Sequence, residues 1–313
     1  MPKSVTWLSE SEIIEKLKAR PRVQGPLFVY SSQAGGWTDH VLGGLVGIDD
    51  HGFHRGDGVF EALRGVKRKP YLLRAHLERL KLSAQRIALE IPEDINDLEN
   101  ILQQGLEKFP NEHTLVRLYV TRGAGGFSTS PRECLGSHLF IVISPFAAPA
   151  PDKYAQGVRI GKSAVPVKSG IFAITKSLNY LPNVLMKAES LERGLDFTVN
   201  FDSQGGLAES STENIVVLRQ DGVLCHPPLA GILRGCTMMR LFELVEKAGI
   251  VPTEREAVIR EADVLKAQAL LMVGTTLDVL PVREYEGKAY PLHPLAARLR
   301  ALIQDDQSAS AHI

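Results

Sequence analysis

The sequence has few of the features that commit a chain to a membrane, a disulfide framework or a nucleic acid. Its 313 residues include only three cysteines, an odd and widely spaced set without a CxxC pair, so we expect reduced thiols. No stretch approaches the roughly 18 apolar residues that span a bilayer. Lysine plus arginine equals aspartate plus glutamate at 36 each, and no basic stripe is interleaved with aromatics. These absences favour a small-molecule ligand and no membrane or nucleic-acid partner.

The length suits two domains of ordinary globular composition, 44% hydrophobic and 23% charged. The proline-rich stretch Pro145–Pro151 is stiff and extended in composition, and it predicts a linker between them. We predict an N-terminal extension at 1–26, a small domain at 27–148, a linker at 149–156 and a large domain at 157–313. The first eight residues lack a charged region followed by an apolar one, which favours a cytoplasmic protein.

Hydrophobic periodicity, caps and glycine or proline punctuation predict the main elements. A capping box predicts a first helix after Ser9, and further helices are expected at Arg74–Ala88, Leu181–Arg193 and Thr237–Ala248. Strands are expected at Leu27–Ser31, Val59–Val66, Leu115–Thr121, Leu139–Ser144, Val158–Ala164, Phe197–Phe201, Ile215–Leu218 and Leu270–Val273. Strands and helices mix without strict βαβ alternation, so an α+β fold is favoured over a doubly wound sheet.

One lysine has the surroundings that covalent catalysis by an amine requires. Such a lysine must be neutral when it reacts and must lie on a rigid element in a partly desolvated pocket. Lys176 lies between a short apolar stretch and a predicted helix, four residues before Tyr180. The alternative is a solvated lysine, which is how Lys187 in the middle of that helix is interpreted.

A predicted helix start offers a site for an anion. Free N–H groups and the macrodipole at a helix N-terminus attract phosphate, and Gly235 lets the backbone approach closely before Cys236 and Thr237 open the helix. The turn Gly274–Thr276 could add hydroxyl and backbone donors. The alternative is that both glycines simply end loops.

Two carboxylates precede or open the strand near Ile215, and either could face a pyridine nitrogen. Glu209 is the first candidate, and Glu213, four residues later, is the alternative. Histidines 51, 54 and 76 have no carboxylate or cysteine at ligand spacing, so no metal site is expected.

Taken in order, these segments resemble one family, the class IV (fold type IV) pyridoxal-phosphate aminotransferases. Asp49–Glu61, His76–Leu80 with Ser83 and Ala84, and Arg122–Gly125 with Pro131–Cys134 resemble the small domain of that family. Lys176–Leu185, Ala208–Glu209, Gly235–Thr237 and Gly274–Thr276 resemble its large domain, which has a barrel-like α/β core. The resemblance runs from about residue 30 to residue 282.

The resemblance implies a role for each candidate residue toward pyridoxal 5'-phosphate. Lys176 would hold the cofactor covalently and shuttle a proton, Tyr180 would hydrogen-bond the ring oxygen, and Glu209 would pair with the ring nitrogen. The cofactor phosphate would be held by Arg79, the backbone at Cys236 and Thr237, and Thr275. The implied reaction is a ping-pong transfer of an amino group from an amino acid to a 2-oxo acid. Homodimers are also implied, with each cleft partly roofed by the other subunit.

Within the family the motifs are closest to plant-type D-amino-acid aminotransferases. Bacterial D-amino-acid transaminases differ, since they carry a tyrosine at Phe60 and an arginine and a histidine at the positions of Phe127 and Thr129. Phe60 with Arg64 is closer to branched-chain L-amino-acid aminotransferases, which rank second. Aminodeoxychorismate lyases commonly lack the acid seen here as Glu61 and rank third.

Three residues are expected to contact the substrate: Arg55, Phe60 and Thr276. Arg55 replaces the tyrosine that branched-chain enzymes present to the substrate, and its planar fork suits a carboxylate. The alternative is an ion pair between Arg55 and Asp57 or Asp50. A pyridoxal-phosphate-binding protein without turnover is a further alternative, which Lys176, Tyr180 and Glu209 together disfavour.

Overall fold

The computed structural model describes residues 6–21 and 26–311, so residues 1–5 and 22–25 of the predicted N-terminal extension lie outside the described residues. Helices α1 to α10 are Glu10–Lys18, His51–Arg55, Leu73–Arg86, Ile95–Lys108, Pro151–Gln156, Ile171–Ile174, Leu181–Glu192, Cys236–Ala248, Glu261–Lys266 and Leu295–Ser310. Strands β1 to β15 are Phe28–Ser31, Gly36–Thr38, Gly58–Val66, Lys69–Pro70, Thr114–Thr121, His138–Pro145, Val158–Lys162, Phe197–Phe201, Leu207–Ser210, Asn214–Leu218, Leu224–Cys225, Thr253–Glu254, Ala269–Gly274, Asp278–Tyr285 and Lys288–Ala289. The predicted α+β class is confirmed.

The first sheet is antiparallel and has the strand order β2-β1-β6-β5-β3-β4. One face of β3, β5 and β6 packs against α3 and α4 around a fully buried apolar core. In α3 the buried residues Leu77, Leu80 and Ala84 recur three or four positions apart, so they form one helix face. The sheet and its two long helices give a rigid wall for the site.

The second sheet closes on itself. Its order is β10-β13-β14-β7-β8-β9, and β9 pairs back with β10 through Glu209 and Asn214, so these six strands form a barrel. Along β10, Ile215 and Val217 join a core cluster with β7 and β8, whereas Val216 and Leu218 join a cluster covered by α8 and α10. Because both faces of this strand are covered, its four consecutive residues 215–218 are all apolar.

The stretch between the sheets differs in part from the extended linker that the prolines predict. The first sheet ends at Pro145 and the second begins at Val158, but residues 151–156 form the short helix α5. Pro151 occupies the first turn of α5, where its missing N–H is not needed and its fixed φ suits the helix. Of the stretch predicted to be extended, 145–151, only Pro151 therefore lies in a helix, and the domain boundary stays a prediction.

The helices and strands predicted above are all present, with ends within two residues of those expected. The capping box is confirmed, because Ser9 N–H donates to the Glu12 carboxylate at 2.8 Å and Ser9 Oγ accepts from Glu12 N–H. Among residues 6–21 and 26–311, none of the helices has the length and hydrophobicity that crossing a bilayer requires.

Candidate active site

A cavity of about 460 Å³ lies where the two sheets meet. It gathers nine of the ten predicted site residues: Phe60, Arg79, Lys176, Tyr180, Glu209, Cys236, Thr237, Thr275 and Thr276. The cavity also exposes side chains that were not proposed from the sequence, among them Arg117, Tyr119 and Asn214. Residues far apart in the chain therefore converge on one space, although their individual roles stay predictions.

Lys176 is fixed through its backbone by the first sheet. Its carbonyl accepts a hydrogen bond from Phe60 N–H at 2.9 Å, and its own N–H donates to Ser83 Oγ at 3.2 Å. Leu178 N–H donates to the carbonyl of Gly58 at 2.9 Å, so residues 176–178 run as a short antiparallel partner of β3. The side chain of Lys176 is thereby placed on the rigid element that amine catalysis requires.

The Lys176 ammonium group is buried among aromatic rings and cations. Its Nζ lies 4.4 Å from the ring centroid of Phe60 and 5.7 Å from that of Tyr180. Burial and the neighbouring Arg79 guanidinium lower the pKa of Lys176 to about 8. A substantial fraction of Lys176 is therefore a neutral, nucleophilic amine just above neutral pH.

Glu209, at the barrel-closing strand β9, lies in the same cavity. Its carboxylate accepts a hydrogen bond from Leu233 N–H at 3.0 Å, and Lys168 Nζ lies 3.9 Å from its other oxygen. Burial raises the pKa of Glu209 above its ordinary value. Glu213 also lines the cavity, but its carboxylate accepts from the hydroxyl and N–H of the adjacent Thr212. The choice of Glu209 over Glu213 stays a prediction.

The far end of the cavity has an uncapped helix start and an arginine, which are features that favour an anion. Helix α8 begins at Cys236, and no side chain caps it, so the backbone N–H groups of its first turn lie beside the cavity without a capping partner. Gly235 is required here, since a Cβ at this position would lie 1.9 Å from the amide oxygen of Asn214. Arg79 donates to the carbonyl of Arg234 at 2.9 Å, which holds its guanidinium against the helix start.

Arg79 is itself held by a buried carboxylate. Glu61 accepts two hydrogen bonds from Arg79 at 2.7 and 2.8 Å and lies 2.8 Å from His76 Nδ1. Burial opposes the charge of Glu61, but Arg79 and His76 outweigh it and hold the pKa of this carboxyl well below its usual range. Burial also opposes the charge of His76, yet Cys236 and Glu61 raise its pKa to about 8. This cluster fixes the Arg79 guanidinium beside the start of α8.

The arrangement is matched by a family model for amino-transferase class IV, which covers residues 58–285. The chain belongs to the class IV aminotransferase family. The matched region includes nine of the ten predicted site residues and all nine that line the cavity.

Three relatives of this class IV aminotransferase carry three different activities in their names. The chain is 31% identical to the chloroplastic D-amino-acid transaminase of Arabidopsis thaliana, over 97% of this chain and 83% of that protein. A branched-chain aminotransferase structure from Thermoproteus uzoniensis has a TM-score of 0.83 at 23% identity, covering 91% of this chain and 96% of that one. A 4-amino-4-deoxychorismate lyase structure from Pseudomonas aeruginosa has a TM-score of 0.77 at 26% identity, covering 89% and 98%. The fold is therefore that of fold type IV enzymes.

The cavity of this aminotransferase fits the cofactor on which its family depends. One end offers Arg79, Thr275 and the uncapped start of α8 to a phosphate, and the walls offer the Lys176 amine and the Glu209 carboxylate. The first set suits a phosphate, the Lys176 amine suits an aldehyde, and the Glu209 carboxylate suits a protonated ring nitrogen.

Arg55 is the one predicted site residue that lies outside the cavity. Its side chain is exposed and donates to the carbonyls of Phe127 and Ser128. The alternative ion pair of Arg55 with Asp57 or Asp50 is not formed among the described residues, where Arg122 binds Asp57 at 2.6 Å and Asp50 accepts from Thr121 at 2.8 Å. The substrate role of Arg55 stays a prediction.

Arg117, which the sequence argument missed, does line the cavity. It lies on β5 opposite Ala62 of β3, two residues before Tyr119, and both side chains are only partly buried between fully buried neighbours. Within the described ranges the side chain of Arg117 makes neither a hydrogen bond nor an ion pair, although its backbone belongs to the sheet. The alternation of Arg117 and Tyr119 with apolar residues in a strand was the available signal.

Proposed function

We propose that this class IV aminotransferase holds pyridoxal 5'-phosphate on Lys176 and transfers an amino group between an amino acid, with D-amino acids favoured, and a 2-oxo acid. The observation that supports the proposal most strongly is the joint placement of a low-pKa lysine, a buried carboxylate and an uncapped helix start around one cavity. The D preference rests on the sequence motifs and on the Arabidopsis relative.

In this proposal the bound cofactor supplies an electron sink for the substrate Cα. The Lys176 amine, with a pKa of about 8, would take up the proton from the substrate Cα and deliver it to the cofactor carbon that had been joined to Lys176, because such a pKa allows both uptake and release near neutral pH. Tyr180 stays protonated and can donate a hydrogen bond, since burial raises the pKa of its hydroxyl. Phe60 covers the amine from the first sheet, and Tyr119 stacks on Phe60, so that the two rings help to exclude water.

The substrate carboxylate is assigned to Arg117. Of the two arginines that line the cavity, Arg79 is engaged by Glu61, whereas Arg117 has no partner among the described residues. A charge-assisted bond to a carboxylate contributes about 1.5–3 kcal/mol. We therefore expect Arg117→Leu to raise the KM for amino acids by roughly 10- to 100-fold, while the absorbance of the cofactor without substrate stays unchanged.

Arg55→Leu is the matched comparison, because it removes a second arginine that could contact the substrate. If Arg55 serves only to tie residues 127–128, its loss leaves the KM unchanged and Arg117→Leu alone raises it. An unchanged KM in Arg117→Leu together with a raised KM in Arg55→Leu would return the carboxylate to Arg55.

The proposed reaction is tested by half-reactions. Purified protein should be yellow, and borohydride should trap the cofactor on the peptide that contains Lys176 rather than Lys187. A single-turnover panel of D-alanine, D-glutamate, L-leucine, L-glutamate and aminodeoxychorismate then identifies the substrate by the change in cofactor absorbance. Turnover of L-leucine alone would make it a branched-chain enzyme, and pyruvate release from aminodeoxychorismate a lyase. No reaction with any amino acid would leave a cofactor-binding protein.

A second copy of the chain is proposed to cover one face of the first sheet. Ile48, Phe53, Phe127 and Leu135 are exposed in the neighbouring segments 48–55, which includes α2, and 124–135, and Leu135 retains 93% of its accessible surface. Both ring nitrogens of His54, which lies 5.3 Å from Phe127 by ring centroids, are buried without a hydrogen-bond partner in the described residues. Sedimentation should show a dimer that Leu135→Asp weakens; a monomeric wild type would contradict the proposal.

A further inference from the structure

Lys168 is a mostly buried lysine beside Glu209. It belongs to the loop between β7 and α6 and does not line the cavity. The loop is pinned to α7, because Glu189 accepts hydrogen bonds from Ser163 Oγ at 2.6 Å and from Ala164 N–H at 3.1 Å. Val167 packs against the apolar cluster beneath α8. The position of Lys168 is therefore set by the fold.

The ammonium group of Lys168 faces two of the predicted cofactor contacts. Its Nζ lies 3.9 Å from Oε1 of Glu209 and 5.6 Å from the ring centroid of Tyr180. The side chain is only 19% exposed, so solvent screens the interaction with Glu209 weakly. The second oxygen of Glu209 is occupied by Leu233 N–H, which leaves Oε1 as the atom that Lys168 attracts.

The charge of Glu209 depends on few neighbours. Burial raises the pKa of this carboxyl, and the opposing groups are Lys168 first, then Leu233 N–H, Lys176 and Arg79. Arg79 is already neutralised by Glu61, and Lys176 is neutral in part near pH 8. Among the described residues, Lys168 is the only cation within ion-pair distance of Glu209.

We propose that Lys168 is a positioning residue for the cofactor ring: from 3.9 Å it keeps Glu209 ionised and oriented, so that this carboxylate can pair with the protonated ring nitrogen. The inference rests on the proposed cofactor and on the assignment of Glu209. Lys168 acts through Glu209 and does not touch the cofactor itself.

The test measures cofactor binding rather than turnover. Apoprotein with Lys168→Met is titrated by absorbance with pyridoxal 5'-phosphate and with the analogue in which CH replaces the ring nitrogen. We expect the natural cofactor to bind about 10-fold more weakly, which corresponds to about 1.4 kcal/mol, and the analogue to bind as in the wild type. Equal weakening of both ligands, or of neither, would overturn the proposal.

Two matched variants complete the experiment. Lys168→Arg keeps the positive charge and should keep the preference for the natural cofactor; a loss equal to that of Lys168→Met would assign the effect to packing and overturn the proposal. Lys266→Met removes an exposed lysine elsewhere in the second half of the chain and should change neither affinity. Wild-type protein that binds both ligands equally would refute the role of Glu209 and not that of Lys168 alone. Borohydride trapping on Lys176 separately reports whether the proposed function holds.

Discussion

Two buried glutamates, one from each sheet, flank the cavity and differ in how their charge is compensated. Glu61 on β3 receives two hydrogen bonds from Arg79 and one contact from His76, all within 2.8 Å, and its pKa lies well below the usual range. Glu209 on β9 receives one backbone N–H and a lysine at 3.9 Å, and burial raises its pKa.

The difference in charge compensation indicates that Glu61 holds Arg79 in place, whereas Glu209 is available to a ligand. Glu61 is satisfied within the chain, so it stabilises the position of Arg79 and has no capacity left for a ligand. Glu209 is incompletely compensated, and an external cation such as a protonated ring nitrogen would complete its electrostatic environment. Burial alone therefore does not decide what a buried glutamate does.

Glu61→Gln should have the largest effect, and the effect should be on stability. The variant leaves Arg79 and His76 without their carboxylate, and breaking a buried ion pair in this way costs about 3–5 kcal/mol. Urea unfolding of the apoprotein followed by circular dichroism measures the change. The control is Glu213→Gln, a buried carboxyl without an ion pair among the described residues, for which we expect less than about 1 kcal/mol. Equal losses in the two variants would remove the distinction between Glu61 and other buried glutamates.

Glu209→Gln should reduce turnover strongly and change stability little. Its stability should change by less than about 1 kcal/mol, because the lost charge is poorly compensated in the free protein. Its kcat should fall by about 100- to 1000-fold, the usual cost of losing one preorganised electrostatic contact in a reaction. Cofactor should still bind at Lys176. Near-normal turnover would transfer the ring-nitrogen role to Glu213 or abolish it.

The Lys176 amine should lose its proton at a lower pH than an ordinary lysine. With its pKa lowered to about 8 by burial and by Arg79, Lys176 becomes neutral as the pH rises through that value, well before an ordinary lysine at 10.5. The rate at which an amine-selective acylating reagent labels Lys176 in the apoprotein should therefore rise about tenfold per pH unit below 8 and then level off. Mass spectrometry of the Lys176 peptide gives the rate, and butylamine gives the intrinsic pH dependence of the reagent. A midpoint near 10.5 would contradict the burial argument.

The sequence was sufficient for elements with a strong local pattern and for residues inside recognisable motifs. Lys176, Glu209 and the Gly235–Thr237 helix start were predicted, and the structure brings them together. Arg117 and Lys168 were missed, because their importance depends on which distant residues they meet and not on their neighbours in the chain. Helix α4 was also missed, although its signal was present in the sequence. Its apolar residues Leu98, Leu102 and Leu106 recur at helical spacing, and Asp94 caps it.

The attachment of Lys176 to β3 has a mechanical consequence. The lysine belongs by sequence to the second half of the chain, yet its backbone is hydrogen-bonded to Phe60 and Ser83 of the first half. Glu209, by contrast, is built into the barrel. A cofactor that contacts both residues would be held at one end by each half of the chain. Any hinge movement between the halves would therefore strain the cofactor, and its ring would report how far the cleft has closed.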